Sequence, residues 1–239
     1  MPLDLHDVHF AEFRRSAEAG LPWLGHTAST WARPLAEGID GIKLPASPQD
    51  RDELRAYCQE PSHSDDACFI ACMAWGRMRR DHFRTAWAAH DRLMPRIRAL
   101  RTGGLSRESA YHLFQADPIP GLGPAYYTKL LFFLRDSADG YIMDQWTGKS
   151  VSLVVTPMFI KIRGKWVTSA NTAAVYQRYC EAVELLAIVM GEPGDVIERK
   201  LFSMGQVDGR PPHAWRAYVN AQWPHRPRAT TTRRRHPGS

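Results

Sequence analysis

Between Asp117 and Val151 three features have the residue types and spacing to do chemistry. Ile119-Pro120-Gly121-Leu122-Gly123 reads as a tight turn, whose glycines let the backbone bend sharply and approach a partner closely. The helix expected after it opens with outward-facing amides at the positive end of its dipole, a ready site for phosphate. Lys129 adds an amine within that apolar-aromatic helix, and Asp144 places a carboxylate at the mouth of the next one. Read from the residues alone, Asp144 is a helix N-cap and Lys129 a contact to phosphate or solvent.

These groups need a scaffold, and the chain has the pattern of a mainly helical one. A helix is expected over Leu5–Ala19, followed by turn-rich sequence in which Trp23 and Trp31 are packing anchors. Ser47, with Pro48 and acids after it, is expected to cap a second helix that ends near Cys58. Ser64-Asp65-Asp66 caps Ala67–Met78, which is apolar nearly all round and therefore central. Asp81–Leu100 is amphipathic and stops at Gly103-Gly104. Ser106–Ala116 leads into the turn. After Val151 the β-branched run SLVVTPMFIKIRGKWV predicts a small hairpin or two short extended pieces. Asn171 is expected to cap Thr172–Met190, with Pro193–Met204 and Pro211–Trp223 as the last helices. The expectation is about nine helices plus a minor β element.

The composition sets bounds. With 239 residues and 44% hydrophobic content there is ample core material, and no apolar run approaches the roughly 18 residues needed to span a bilayer. MPLDLHDVHFAEFRR lacks a secretion-signal pattern, which makes a cytoplasmic protein the expectation. The net charge of +6 favours a polyanionic partner. Residues 1–223 read as one helical domain, and 224–239 as a basic, disordered tail that either adds phosphate affinity or is a solvated terminus. Cys58, Cys68, Cys72 and Cys180 lack the paired spacing of a zinc or iron-sulfur site, so buried free thiols are expected.

The stretch resembles the helix-hairpin-helix DNA glycosylases, most closely their 8-oxoguanine glycosylase-like branch. Their pattern is an apolar-Pro-Gly-apolar-Gly turn, a helix, and an aspartate about twenty residues past the second glycine. Here Gly123 to Asp144 is 21 residues, with Tyr141-Ile142-Met143 leading into the aspartate. The resemblance is most specific over Ile119–Val151 and looser from Ala67 to Met204. It implies a two-lobed helical fold with a cleft at residues 117–151, followed by the small β element.

It also implies roles. Cleaving an N-glycosidic bond builds positive charge on the sugar, which the carboxylate of Asp144 would stabilise while orienting the attacking nucleophile. Bifunctional members carry a nucleophilic lysine two residues past the second glycine, a place held here by Ala125. Lys129 lies one helical turn later on the same face, within plausible reach of the same sugar carbon. Its alternatives stay open: nucleophile in a lyase, or bystander to an Asp144-activated water.

Pro120, Gly121, Leu122, Gly123 and Ala125 are the expected DNA contacts. Thr147 and Lys149 are candidates for backbone or phosphate contact, and TGKS lacks the context of a Walker loop. Gln145 and Trp146 stand where the family often has a histidine. A flipped base must stack on something; Trp75, Tyr126, Tyr127 and Trp146 are candidates, each divided between core and pocket, whereas Phe132 and Phe133 read as core. His112 and Gln115 could face DNA.

The expected partner is duplex DNA with a modified base, an oxidised purine by resemblance. The expected protein is a monomer that touches no membrane, with no cofactor beyond a monovalent cation that the resemblance allows at the hairpin carbonyls. Two other readings are a glycosylase for a bulky modified cytosine of phage DNA, acting in defence, and a non-catalytic hairpin module that only grips DNA.

Overall fold

Ala67 to Trp75 are nine consecutive buried residues, and this all-apolar stretch is the centre of the structure. It is seen in a computed structural model that describes residues 2–20, 22–35, 38–204 and 211–223. A short strand β1 (Asp4–Leu5) precedes α1 (Asp7–Ser16) and α2 (Ala28–Ala32). Next come α3 (Arg51–Gln59), the central α4 (Asp65–Trp75), α5 (Arg80–Trp87), α6 (His90–Arg101) and α7 (Arg107–Gln115). The turn leads to α8 (Pro124–Leu134), and a loop leads to α9 (Gln145–Val154). Then follow β2 (Val155–Thr156), β3 (Ile162–Arg163), β4 (Trp166–Val167), α10 (Ala173–Met190), α11 (Gly194–Phe202) and α12 (Ala214–Gln222). The fold is mainly α, as expected.

Helix α4 packs against α2, α3, α6 and α8, while α9 packs against α1, α10, α11 and α12. The loop from α8 to α9 joins these two groups. In the second group β1 pairs antiparallel with β2, and β3 with β4 as a hairpin turning at Gly164.

Several boundaries differ from the sequence expectations. The first helix is Asp7–Ser16, shorter than Leu5–Ala19, because Leu5 is taken into the β1–β2 pair. Asp50 rather than Ser47 caps α3: its carboxylate accepts from the amides of Asp52 and Glu53, and Glu53 returns the bond to the Asp50 amide. Asp81–Leu100 is two helices, broken at Ala88-Ala89, so the described residues hold twelve helices rather than nine. Asn171 does not cap α10. Thr172 does, while the buried Asn171 side chain bonds the backbone of Lys161 on both its amide and its carbonyl. Trp31 is a packing anchor against Phe83, but Trp23 is only half-buried and lines a cavity. All four cysteines are buried thiols, with Cys58 and Cys72 Sγ 3.6 Å apart. The expectation for residues 224–239 lies outside the described residues.

Candidate active site

The turn is built as the sequence requires. Gly121 has φ +80°, and a Cβ there would lie 2.4 Å from the His82 carbonyl, so only glycine allows α5 and the turn to meet. Gly123 is exposed and opens α8 without a side-chain cap, leaving the first amides of that helix free of side-chain partners. Pro120 is exposed and Ala125 half-buried, whereas Leu122 is buried, so its backbone and not its side chain is what it can offer. The carbonyls of Ile119 and Gly123 accept amides within the turn. Those of Pro120, Gly121 and Leu122 accept none among the described residues.

The backbone before Asp144 is bolted in place. Tyr176 and Tyr179 donate their hydroxyls to the carbonyls of Tyr141 (3.0 Å) and Ile142 (2.7 Å). The Met143 amide donates to Thr128 Oγ1 at 3.1 Å, and Thr147 Oγ1 donates to Ile142 O. Asp144 then caps α9 through Oδ1 alone, which accepts from the amides of Trp146 (2.7 Å) and Thr147 (3.1 Å). Among the described residues Oδ2 takes no hydrogen bond. The cap thus fixes the carboxylate while leaving one oxygen for chemistry.

Lys129 is 8% exposed, and its Nζ donates to the Ala125 carbonyl at 2.7 Å. Burial lowers its pKa, against the opposing pull of Asp144 and Glu198. Its stem fills the space that Gly76 leaves: a Cβ there would lie 2.7 Å from Lys129 Cδ.

Two concavities meet at these groups. An open groove of about 770 Å³ carries the turn, Ala125 and Tyr126 on one side and the β3–β4 hairpin on the other. A more enclosed cavity of about 370 Å³ is walled by Trp23, Trp75, Trp146 and Phe202. Lys129, Asp144 and Gln145 border both.

Of the pocket candidates, Trp75 and Trp146 line the enclosed cavity. Tyr126 lies in the groove, beside His82, and Tyr127 is buried, stacked on Phe114. Phe132 and Phe133 are core. Thr147, a candidate for backbone or phosphate contact, has its side chain fully buried in the cap. Lys149 is buried as well, with Nζ 4.6 Å from the centre of the Trp146 ring. Gln115 lines the groove and accepts from Ala173 N at the start of α10, while His112 is exposed.

Other groups in the cavity wall, or packed against it, were missed. Glu198 on α11 is buried against Arg51 on α3, and burial raises its pKa despite that partner. Arg77 lies over the Trp23 ring at 4.2 Å with φ +48°, a left-handed conformation that costs a non-glycine residue energy. Arg216 on α12 lies 3.8 Å from the centre of the Trp146 ring and donates to Phe202 O. These residues come from separate elements, Arg77 from the turn after α4 and the others from α3, α11 and α12, and no local spacing joins them. Among the described residues no cluster of three His, Cys, Asp or Glu could hold a metal ion, and no helix is long and apolar enough to cross a membrane.

A family model described as "Putative 8-oxoguanine DNA glycosylase OGG-like protein" matches residues 12–202. The chain belongs to this OGG-like family. No curated protein and no solved structure matches it. The family match includes the turn, Lys129, Asp144 and Glu198, and stops before α12, which carries Arg216.

Proposed function

We propose that the protein is a DNA glycosylase that draws a modified base from duplex DNA into the enclosed cavity and breaks its N-glycosidic bond. The observation that carries this reading is the position of Lys129 and Asp144 at the junction between the groove and the aromatic-walled cavity. A base in the cavity, with its strand in the groove, would have its sugar at that junction.

The α8 amides and the exposed turn would hold phosphate. The carbonyls of Pro120, Gly121 and Leu122 could seat a monovalent cation that adds positive charge there. Trp23, Trp75, Trp146 and Phe202 offer faces for the extruded base, with Gln145 and Arg77 among the polar groups. Asp144 would stabilise the positive charge that grows on the sugar as the base departs with the bond's electron pair. The lowered pKa of Lys129 raises its neutral, nucleophilic fraction. Attack on the sugar C1′ would give a Schiff base, after which β-elimination cleaves the strand. An oxidised purine is the proposed substrate. The groups at the junction speak against a module that only grips DNA, since grip needs no carboxylate or buried amine.

The test is incubation with duplexes carrying 8-oxoguanine, other oxidised purines or bulky modified cytosines, with and without borohydride. Release of an oxidised purine with a trapped adduct lost in Lys129→Ala supports both parts. Release without trapping makes Asp144 the activator of water, and release of modified cytosine alone moves the substrate to phage DNA. Binding with no release from any duplex contradicts the proposal.

A further inference from the structure

The β3–β4 hairpin plays no part in the chemistry above, yet it carries the most exposed tryptophan among the described residues outside the cavity. Trp166 is 54% exposed, and Lys161, Arg163 and Lys165 around it are exposed as well. From Gln145 to Cys180 the sequence contains no acidic residue. An aromatic ring set among cations with no nearby acid in the sequence is the composition of a surface for stacked bases and phosphates.

The hairpin is also rigidly mounted. Asn171 bonds both the amide and the carbonyl of Lys161 at 2.8 Å. Ile160, Ile162 and Val167 press on α9 at Gly148, where a Cβ would lie 3.2 Å from Ile162 Cδ1. At the tip, the Gln145 amide in its best-bonded orientation donates to Lys165 O (3.0 Å) and accepts from Trp146 Nε1 (3.3 Å). The residue after Asp144 thus ties the hairpin to the cavity wall. Lys165 and Trp166 line the same groove as the turn, Lys129 and Asp144.

We infer that this hairpin is a duplex-probing wedge: Trp166 enters the base stack where the nucleotide has left it, and Lys161, Arg163 and Lys165 hold the flanking phosphates. The inference rests on the DNA glycosylase reading. Its occupant is duplex DNA, chosen by charge complementarity and by the groove shared with the turn. Holding the gap open would favour extrusion of a paired base and have little effect on one already unpaired.

The test uses a duplex with a tetrahydrofuran abasic analogue and fluorescent 2-aminopurine opposite it, so that no particular substrate base is needed. Saturating wild-type protein is expected to quench the reporter. Trp166→Ala is expected to bind about ten-fold more weakly, within the range of one base–aromatic stack, and to leave the reporter bright at saturation. Trp166→Phe should restore part of the quenching. Alanine at Lys161, Arg163 and Lys165 together should lower the salt slope of binding by about three, one for each phosphate contact. Wild-type affinity and quenching in Trp166→Ala would overturn the wedge alone. So would a change from dimer to monomer in Trp166→Ala with DNA binding intact, which would make the hairpin a self-contact. No binding by the wild type would contradict the DNA reading itself.

Discussion

Lys129 Nζ donates to the carbonyl of Ala125 at 2.7 Å, which brings the amine one helical turn back toward the residue where the family's lysine would be rooted. The side chain lies along its own helix beside Gly76 instead of extending into solvent. A lysine rooted four residues later in sequence thus reaches back along the helix toward Ala125. Because burial lowers the Lys129 pKa, borohydride trapping should rise with pH to a plateau reached below the ordinary lysine range of about 10.4. Trapping that still climbs through that range would contradict this environment.

The same burial has a stability cost. Between the lowered folded pKa and the ordinary value, the unfolded chain binds a proton that the folded chain does not, so stability rises with pH across that window. Lys129→Met removes the group and should stabilise the protein at pH 7, with the gain shrinking as pH approaches about 10.4. Paired thermal denaturations at the two pH values check this, and a variant less stable than wild type at pH 7 would refute it.

The two turn glycines should respond oppositely. Gly121→Ala meets the His82 carbonyl at φ +80°, and should cost at least about 1–2 kcal/mol of stability. Gly123→Ala meets nothing within 4 Å, and should leave stability within about 1 kcal/mol while weakening binding of the abasic-analogue duplex by crowding the phosphate approach. Chemical denaturation and fluorescence anisotropy separate the two effects.

How far the site was legible in the sequence follows from its local and distant parts. The turn, Asp144 and the helix it caps are adjacent in the chain, so the turn and the cap were readable locally, while the role expected of Asp144 came from the family resemblance. Lys129 was readable from helical periodicity, but its bond to Ala125 was not. The Arg51–Glu198 pair joins α3 to α11, and its members gave no spacing signal. Asp50 and Thr172 were missed as caps because several capping residues stand in each run, and only tertiary packing chooses between them.

The Arg51–Glu198 pair carries its own prediction. Glu198→Ala leaves the Arg51 guanidinium buried without its carboxylate, and should cost about 3–5 kcal/mol. Burial raises the pKa of Glu198, so its contribution is fully present below the unfolded glutamate pKa and is lost as pH rises through the folded value. Urea titrations of wild type and Glu198→Gln should show the glutamine variant gaining on wild type between pH 4 and pH 8. A constant difference would contradict the raised pKa.

Arg216 should matter although it lies beyond the family match. Its guanidinium on Trp146 and its bond to Phe202 O join two cavity walls to α12. Arg216→Ala should lose about 2 kcal/mol of stability. It should also slow base release at a temperature where the variant is fully folded. Arg216→Lys should recover part of both, and a variant with unchanged release would make α12 a purely structural addition.

The most direct test is single-turnover base release from an 8-oxoguanine duplex by wild type and Asp144→Asn. Asparagine still caps α9, so thermal stability should stay within about 1 kcal/mol. Release by Asp144→Asn is expected to fall on the order of 10²–10³-fold with the fold and duplex binding retained. Release by a folded Asp144→Asn protein at the wild-type rate would contradict this.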